Sequence, residues 1–362
     1  MSEPIGDFTA TGLMVDHGIV EPCTVVRTDG RIEIDRGGSD RYDFKAIIVK
    51  DMVNAHTHCG DYGLKIPLGL SLEELVAPPN GLKHRYLSEI SSKDLMDSMS
   101  RFCKVSDTTG SVSFIDFREG GVDGARLLRY CKNDAIILGR PTSAEFDPEE
   151  VQELLSVADG IGIPSISDMP FGYIESLADA ARDAGKIFAI HASERVREDI
   201  DQILSLDPAF VVHMCEATDD DMAKCAEAEV PAVVCPTSNA YFGKITPIVR
   251  MIGNGMDVAL GTDNGMLCEP DLVKEAGVLS AIIEAERGNP DDAWKTLSSF
   301  AGKLLYRTKT MKEQVPNSQI SVIPQQDTLK GEFSDVSTFR IKMNRGVIRN
   351  GIQQDPGPNR RE

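Results

Sequence analysis

The chain has 362 residues, 41% of them hydrophobic and 26% charged, the proportions of an ordinary globular protein. A net charge of −19 with a pI near 4.8, spread along the chain, argues against general affinity for nucleic acid or an anionic membrane. No apolar stretch approaches the roughly 20 residues that span a bilayer, and no basic-then-apolar leader opens the chain. The eight cysteines form no Cys-x-x-Cys pair, so free thiols in a cytoplasmic protein are expected.

Residues 1–45 alternate polar and apolar positions, as in "CTVVRTDGRIEI", with Asp29-Gly30 a hairpin signal. Eight short runs rich in Val and Ile follow: "AIIVKDMVN", "GSVSFIDF", "AIILGRP", "GIGIPSIS", "KIFAIHA", "AFVVHM", "VPAVVCP" and "DVALGTD". Apolar residues on consecutive positions suit strands buried on both faces. Helix signals lie between them. Asp147 is placed as an N-cap before Pro148 and two glutamates. "YIESLADAARDAGK" is apolar at helical spacing and stops at Gly185. "TDDDMAKCAEAEV" opens at Thr218 on an acidic turn, and "SERVREDIDQIL" reads as a further helix opened by Ser193 or Glu194. Residues 310–350 return to polar–apolar alternation, and the polar tail 351–362 is expected to be disordered.

This order predicts an α/β fold: a (β/α)8 TIM-type barrel over 46–309, with a small antiparallel β-sandwich domain built from 1–45 and 310–350. A doubly wound sheet is the alternative, but no Gly-x-Gly-x-x-Gly turn follows the first strand.

In such a barrel the carboxyl ends of the strands face the active-site mouth. His56 and His58 end the first run, on the same side of a strand. His191 ends the fifth, His213 the sixth and Asp263 the eighth, so four of the six histidines share one rim with an aspartate. His-x-His alone is a weak motif, and a lone strand-end histidine is more often hydrogen-bonded structure than a ligand. Convergence is what points to a metal. Imidazoles plus a carboxylate with an open position suit Zn²⁺ or Fe²⁺ arranged for hydrolysis.

The ordered motifs "NAHTH", "IHASE", "VVHM", "CPTSN" and "GTDN" closely resemble the amidohydrolase superfamily. The nearest branch holds cytosine deaminase, guanine deaminase and atrazine-chlorohydrolase-like enzymes, and the resemblance covers nearly the whole chain. It implies one divalent metal held by His56, His58, His191 and Asp263, with Zn²⁺ foremost and Fe²⁺ or Mn²⁺ as alternatives. It also implies Glu194 as proton shuttle and His213 beside the reacting water. Binuclear members carry a lysine after the fourth strand. "GIGIPSISD" has Ser167 and Asp168 there, which favours a single metal.

The chemistry expected is deamination of a nucleobase-like or other amidine-containing heterocycle, by water whose pKa the metal lowers towards ~7. Hydrolytic dehalogenation or cyclic amide hydrolysis on the same site is the alternative. Lys83, His84, Arg118 and Arg140 are candidates for holding an anionic small-molecule substrate. They could equally pair with Glu119, Glu145 or Asp168. Asn239 is placed either on the heterocycle or as an organiser of its own loop. The resemblance further implies a homodimer.

Overall fold

The computed structural model describes residues 6–76, 80–305, 307, 319–329, 338–342 and 348–349. The expected disordered tail, 351–362, lies outside the described residues, as do residues 77–79 of the loop "VAPPNG".

Both chain ends meet in one seven-stranded sheet. Its strands run in the order Phe339–Lys342, Gln319–Pro324, Phe44–Lys50, Phe8–Asp16, Ile19–Thr28, Arg31–Arg36 and Ile348–Arg349. Asp29 (φ 51°) and Gly30 (φ 73°) make the tight connection between Ile19–Thr28 and Arg31–Arg36. Both are left-handed, as a two-residue hairpin requires. The sheet is mixed, not antiparallel as expected. Phe8–Asp16 pairs in parallel with Phe44–Lys50, because the intervening hairpin occupies its other edge. Among the described residues its strands form one continuous hydrogen-bonded sheet. Phe8, Phe44, Ile48, Ile320 and Val322 form its buried side.

The second sheet is parallel and curls onto itself. Its strands are Val53–His58, Ser113–Arg118, Ile136–Gly139, Gly160–Ile163, Ile187–Ala192, Phe210–His213 and Ala232–Val234, with the last split into Val258–Leu260 and Asp263–Asn264. Ile136, Ile137 and Leu138 are all 0% exposed, as consecutive apolar residues on a two-faced buried strand should be. The split closes the ring. Val258–Leu260 pairs with the seventh strand, whereas Asp263 lies opposite Thr57 of the first. Gly261 permits this approach, since a Cβ there would lie 2.8 Å from His56 Cβ and 2.9 Å from its backbone nitrogen. The buried Asn54 amide clasps Thr262 on both sides, at 2.8 and 3.1 Å.

The run "AIIVKDMVN" is two strands, not one. Phe44–Lys50 belongs to the mixed sheet and Val53–His58 to the curled one, with Asp51 (φ 50°) turning the chain between them. The change of sheet therefore falls at residue 51, not 46. Asp147 caps the helix Pro148–Val157, and Thr218 forms a capping box with Asp221 at the head of Asp219–Glu227. The segment "SERVREDIDQIL" departs from expectation. Its helix begins only at Ile200, capped by Asp199, so Glu194 stands on a loop. Among the described residues no helix is long and apolar enough to cross a membrane.

Candidate metal centre and active site

Strand alternation puts the rings of His56 and His58 on one side of Val53–His58, 4.9 Å apart between centroids. His191 arrives from Ile187–Ala192, so that its Nε2 lies 3.2 Å from His56 Nε2. Asp263 Oδ1 is 3.2 Å from His56 Nε2 and 3.6 Å from His58 Nε2. Donor atoms of His56, His58 and His191 lie within 4.8 Å of one another, as do those of His56, His213 and Asp263.

Proton positions decide whether this cluster fits a cation. His191 Nδ1 faces the Ile163 carbonyl at 2.9 Å, and His58 Nδ1 faces the Phe117 carbonyl at 3.1 Å and Glu119 Oε1 at 3.0 Å. A carbonyl can only accept, so both rings carry their proton at Nδ1 and turn a bare Nε2 inward. Burial lowers His56 to about 4 and His191 well below its ordinary value, keeping them neutral. Burial alone would raise Asp263. Its contacts with His56, joined by His213 and His58, hold it well below the carboxylate range. The bare Nε2 atoms of His58 and His191 beside an ionised carboxylate have no proton to share. That donor set fits a divalent metal.

Glu194 follows Ser193, whose φ is 47°, and its Oε1 lies 3.6 Å from His213 Nε2. Burial, with Asp263 nearby, pushes Glu194 up to about 8, so it holds a proton at neutral pH. A cavity opens above these groups. His58, His191, Glu194, His213 and Asp263 line its floor, and Leu72, Val76, His84, Arg140 and Val196 its walls.

Two of the predicted substrate-binding cations have other work. Arg118 is 1% exposed, and its guanidinium donates to Glu119 Oε2 at 3.0 Å and to the Glu119 carbonyl at 2.9 Å. Asp116 stands 3.8 Å away, and Gly60 leaves the space the guanidinium fills. Lys83, 3% exposed, lies 2.7 Å from Glu119 Oε1 and 3.1 Å from Asn264 Oδ1. Both borders of the cavity are thus saturated ion pairs and not free anion clamps. His84 lines the wall with Nε2 on the Val76 carbonyl at 3.0 Å. Arg140 also lines the wall, and its guanidinium makes no hydrogen bond or ion pair among the described residues. Asn239 does not border the cavity. It is 1% exposed and its amide is turned to His213.

Sequence reasoning gave no role to Glu119 beyond pairing with a strand-end cation, and none to Ser238 or Glu198. Glu119 joins Lys83, Arg118 and His58. Ser238 donates to Asp263 Oδ2 at 2.5 Å. Glu198 accepts from Ser165, Ser167 and the Ser193 backbone, tying the loops after the fourth and fifth strands together. The serines of "PSIS" and "HASE" were the only hint of it.

No protein-family model matches the chain. A proposed aminohydrolase of Archaeoglobus fulgidus is 34% identical over 278 residues, 76% of this chain and 80% of its own length. An uncharacterised protein of Methanocaldococcus jannaschii is 31% identical over 319 residues, 81% of this chain and 80% of its own. A 5-methylthioadenosine/S-adenosylhomocysteine deaminase of Moorella thermoacetica is 25% identical, over 67% of this chain and 64% of its own length. The fold matches an adenosine deaminase of Xanthomonas campestris with bound zinc (TM-score 0.63, 16% identity, 87% of this chain and 84% of that one). It also matches a guanine deaminase of C. acetobutylicum with bound guanine (TM-score 0.60, 13% identity, 87% and 90%). With identity above 30% across most of both chains in the archaeal relatives, and this fold, the chain belongs to the amidohydrolase superfamily, as an enzyme that hydrolyses C–N bonds.

Proposed function

We propose that the chain is a metal-dependent aminohydrolase that deaminates a nucleobase-like or other amidine-containing heterocycle, with water replacing the amino group and ammonia leaving. The observation that carries this reading is that His58, His191 and Asp263, clustered with the buried His56, line the same cavity as Glu194 and His213. A divalent ion held by those four residues, zinc or else iron or manganese, would supply Lewis acidity and let water attack at neutral pH.

The remaining chemistry falls to side chains. Glu194, protonated at pH 7, gives its proton to a ring nitrogen and passes the next one to the departing ammonia. Asp263, held ionised with Ser238 on Oδ2, accepts a proton from the attacking water and passes it on, so that Glu194 regains the proton it gave to the ring nitrogen while the second water proton leaves with ammonia. His213 stabilises the oxygen of the tetrahedral carbon. Support comes from the aminohydrolase and deaminase relatives. Metal analysis with ammonia release across purines, pyrimidines, pterins and their nucleosides tests it. Glu194→Gln should keep its metal and lose turnover by roughly 10²–10⁴-fold. Halide or acid released without ammonia would move the activity to dehalogenation or cyclic amide hydrolysis.

A second reading concerns the rest of the substrate. Arg140 is a wall cation whose guanidinium makes no hydrogen bond or ion pair among the described residues, with Asp168 near enough only to feel its charge, so an anionic group on the substrate would meet it before Arg118 or Lys83.

A further inference from the structure

The short helix Pro236–Tyr241 follows the seventh strand and brings two consecutive side chains to two different groups of the site. Ser238 reaches Asp263, and Asn239 Nδ2 lies 3.0 Å from His213 Nδ1. On its other side Asn239 Oδ1 accepts from the Thr246 hydroxyl at 3.0 Å. Asn239 and Thr246 are 1% and 0% exposed, so neither amide atom has water as an alternative partner. The backbone fixes Asn239 as well, since its N–H donates to the Cys235 carbonyl and its carbonyl accepts from Lys244.

An amide nitrogen has only protons to offer, so the ring nitrogen it faces must be bare. A neutral imidazole bare at Nδ1 carries its proton at Nε2, the atom that looks toward Glu194 Oε1 and the cavity. His58 and His191 show the reverse. Their Nδ1 atoms face carbonyl oxygens, which leaves Nε2 bare and able to ligate. Three of the four histidines in the cluster are thus sorted by what stands behind them. A carbonyl makes a ligand, and an amide nitrogen makes a donor. His56, with no hydrogen-bond partner at Nδ1, is left to the inner shell by its Nε2 contacts.

We propose that Asn239, held by Thr246, is a positioning residue that fixes His213 as the Nε2-protonated tautomer, so that this ring donates a hydrogen bond to the substrate instead of serving as a fourth imidazole ligand. The role of that donor rests on the aminohydrolase reading; the tautomer itself does not. Long-range ¹H–¹⁵N spectra of the full chain, labelled with ¹⁵N-histidine and loaded with zinc, read it directly. His213→Asn identifies the signal by its loss. The expected spectrum shows His213 protonated at Nε2 and unprotonated at Nδ1. Protonation at Nδ1, or a zinc-bound Nε2, overturns the proposal.

Asn239→Asp places an oxygen, which only accepts, behind the ring. It should put a proton on Nδ1 while zinc content stays unchanged, and lower kcat for ammonia release by about 10- to 100-fold. A variant whose spectrum matches the wild type would deny Asn239 its role. If that variant fails to fold, the wild-type spectrum alone decides. Should no heterocycle release ammonia, the aminohydrolase reading fails while the spectrum still settles the tautomer.

Discussion

Arg118 admits two readings in sequence, a substrate clamp at a strand end or the partner of Glu119. The structure pairs it with Glu119 and Asp116 in a buried cluster. Removing it would leave two buried carboxylates short of a cation, so Arg118→Met should cost about 3–5 kcal/mol of stability. Thermal and denaturant melting check this. Arg118→Lys should recover little, because a point charge cannot span the same acceptors. Glu194 carries a prediction of another kind. With its carboxyl raised to about 8, it is protonated at pH 7 and loses that proton as pH rises through 8. Activity that needs its proton should fall on the alkaline side near that value, a limb absent from whatever turnover Glu194→Gln retains. The convergence of His56, His58, His191, Asp263 and Glu194 was legible in sequence because strand ends can be counted from apolar runs, and histidine is rare in this chain. The contacts of Lys83 and Asn239 were not. Lys83 meets Asn264 where the eighth strand closes on the first, and Asn239 meets His213 between the seventh and sixth strands, whereas Arg118 takes its own sequence neighbours Asp116 and Glu119.

Among the elements, the helix Asp219–Glu227 shows how a local signal is reinforced by a distant one. Its capping box pairs Thr218 with Asp221, and Arg197 reaches the same aspartate at 2.7 and 2.8 Å from the loop that bears Glu194. The hydrogen bond from Arg197 is the main reason Asp221 is lowered from 3.8 to about 2. A depressed carboxyl contributes stability that is complete above its ordinary pKa and fades as pH falls through the depressed one. Its contribution should therefore persist at pH 5 and disappear between pH 4 and 2. Asp221→Ala, measured at pH 7, should lose about 1–2 kcal/mol. Caps of this kind were readable because they need only three or four neighbouring residues. The loop 193–199 was not readable as such. "SERVRED" has helix-forming composition, but the Glu198 carboxylate takes the Ser193 N–H and holds the segment open. The run 46–54 misread as one strand has the same origin, since apolar pattern records burial and not a reversal at Asp51.

Across the whole molecule, the metal and the fold should be thermodynamically linked. The proposed ligands come from the first, fifth and eighth strands, so an unfolded chain cannot present them together. An ion present at 100 times its Kd would add about 2.7 kcal/mol of stability. Chelation should lower the melting temperature of the native chain and leave that of Asp263→Ala nearly unmoved. The mixed sheet supplies a second linkage. Gln319 exchanges hydrogen bonds with Asp51, its carbonyl accepting at 2.8 Å and its N–H donating to Oδ1 at 3.0 Å. Asp51 is the turn that leads directly into the strand bearing His56 and His58. Ser321 adds a hydrogen bond to the Gly110 carbonyl at 2.5 Å, at the entry to the second strand. During synthesis, then, the segment that seats His56 and His58 waits for a partner 268 positions further along the chain. A nascent chain halted before residue 319 would carry most of its catalytic machinery and still lack the clamp that sets its opening strand in place.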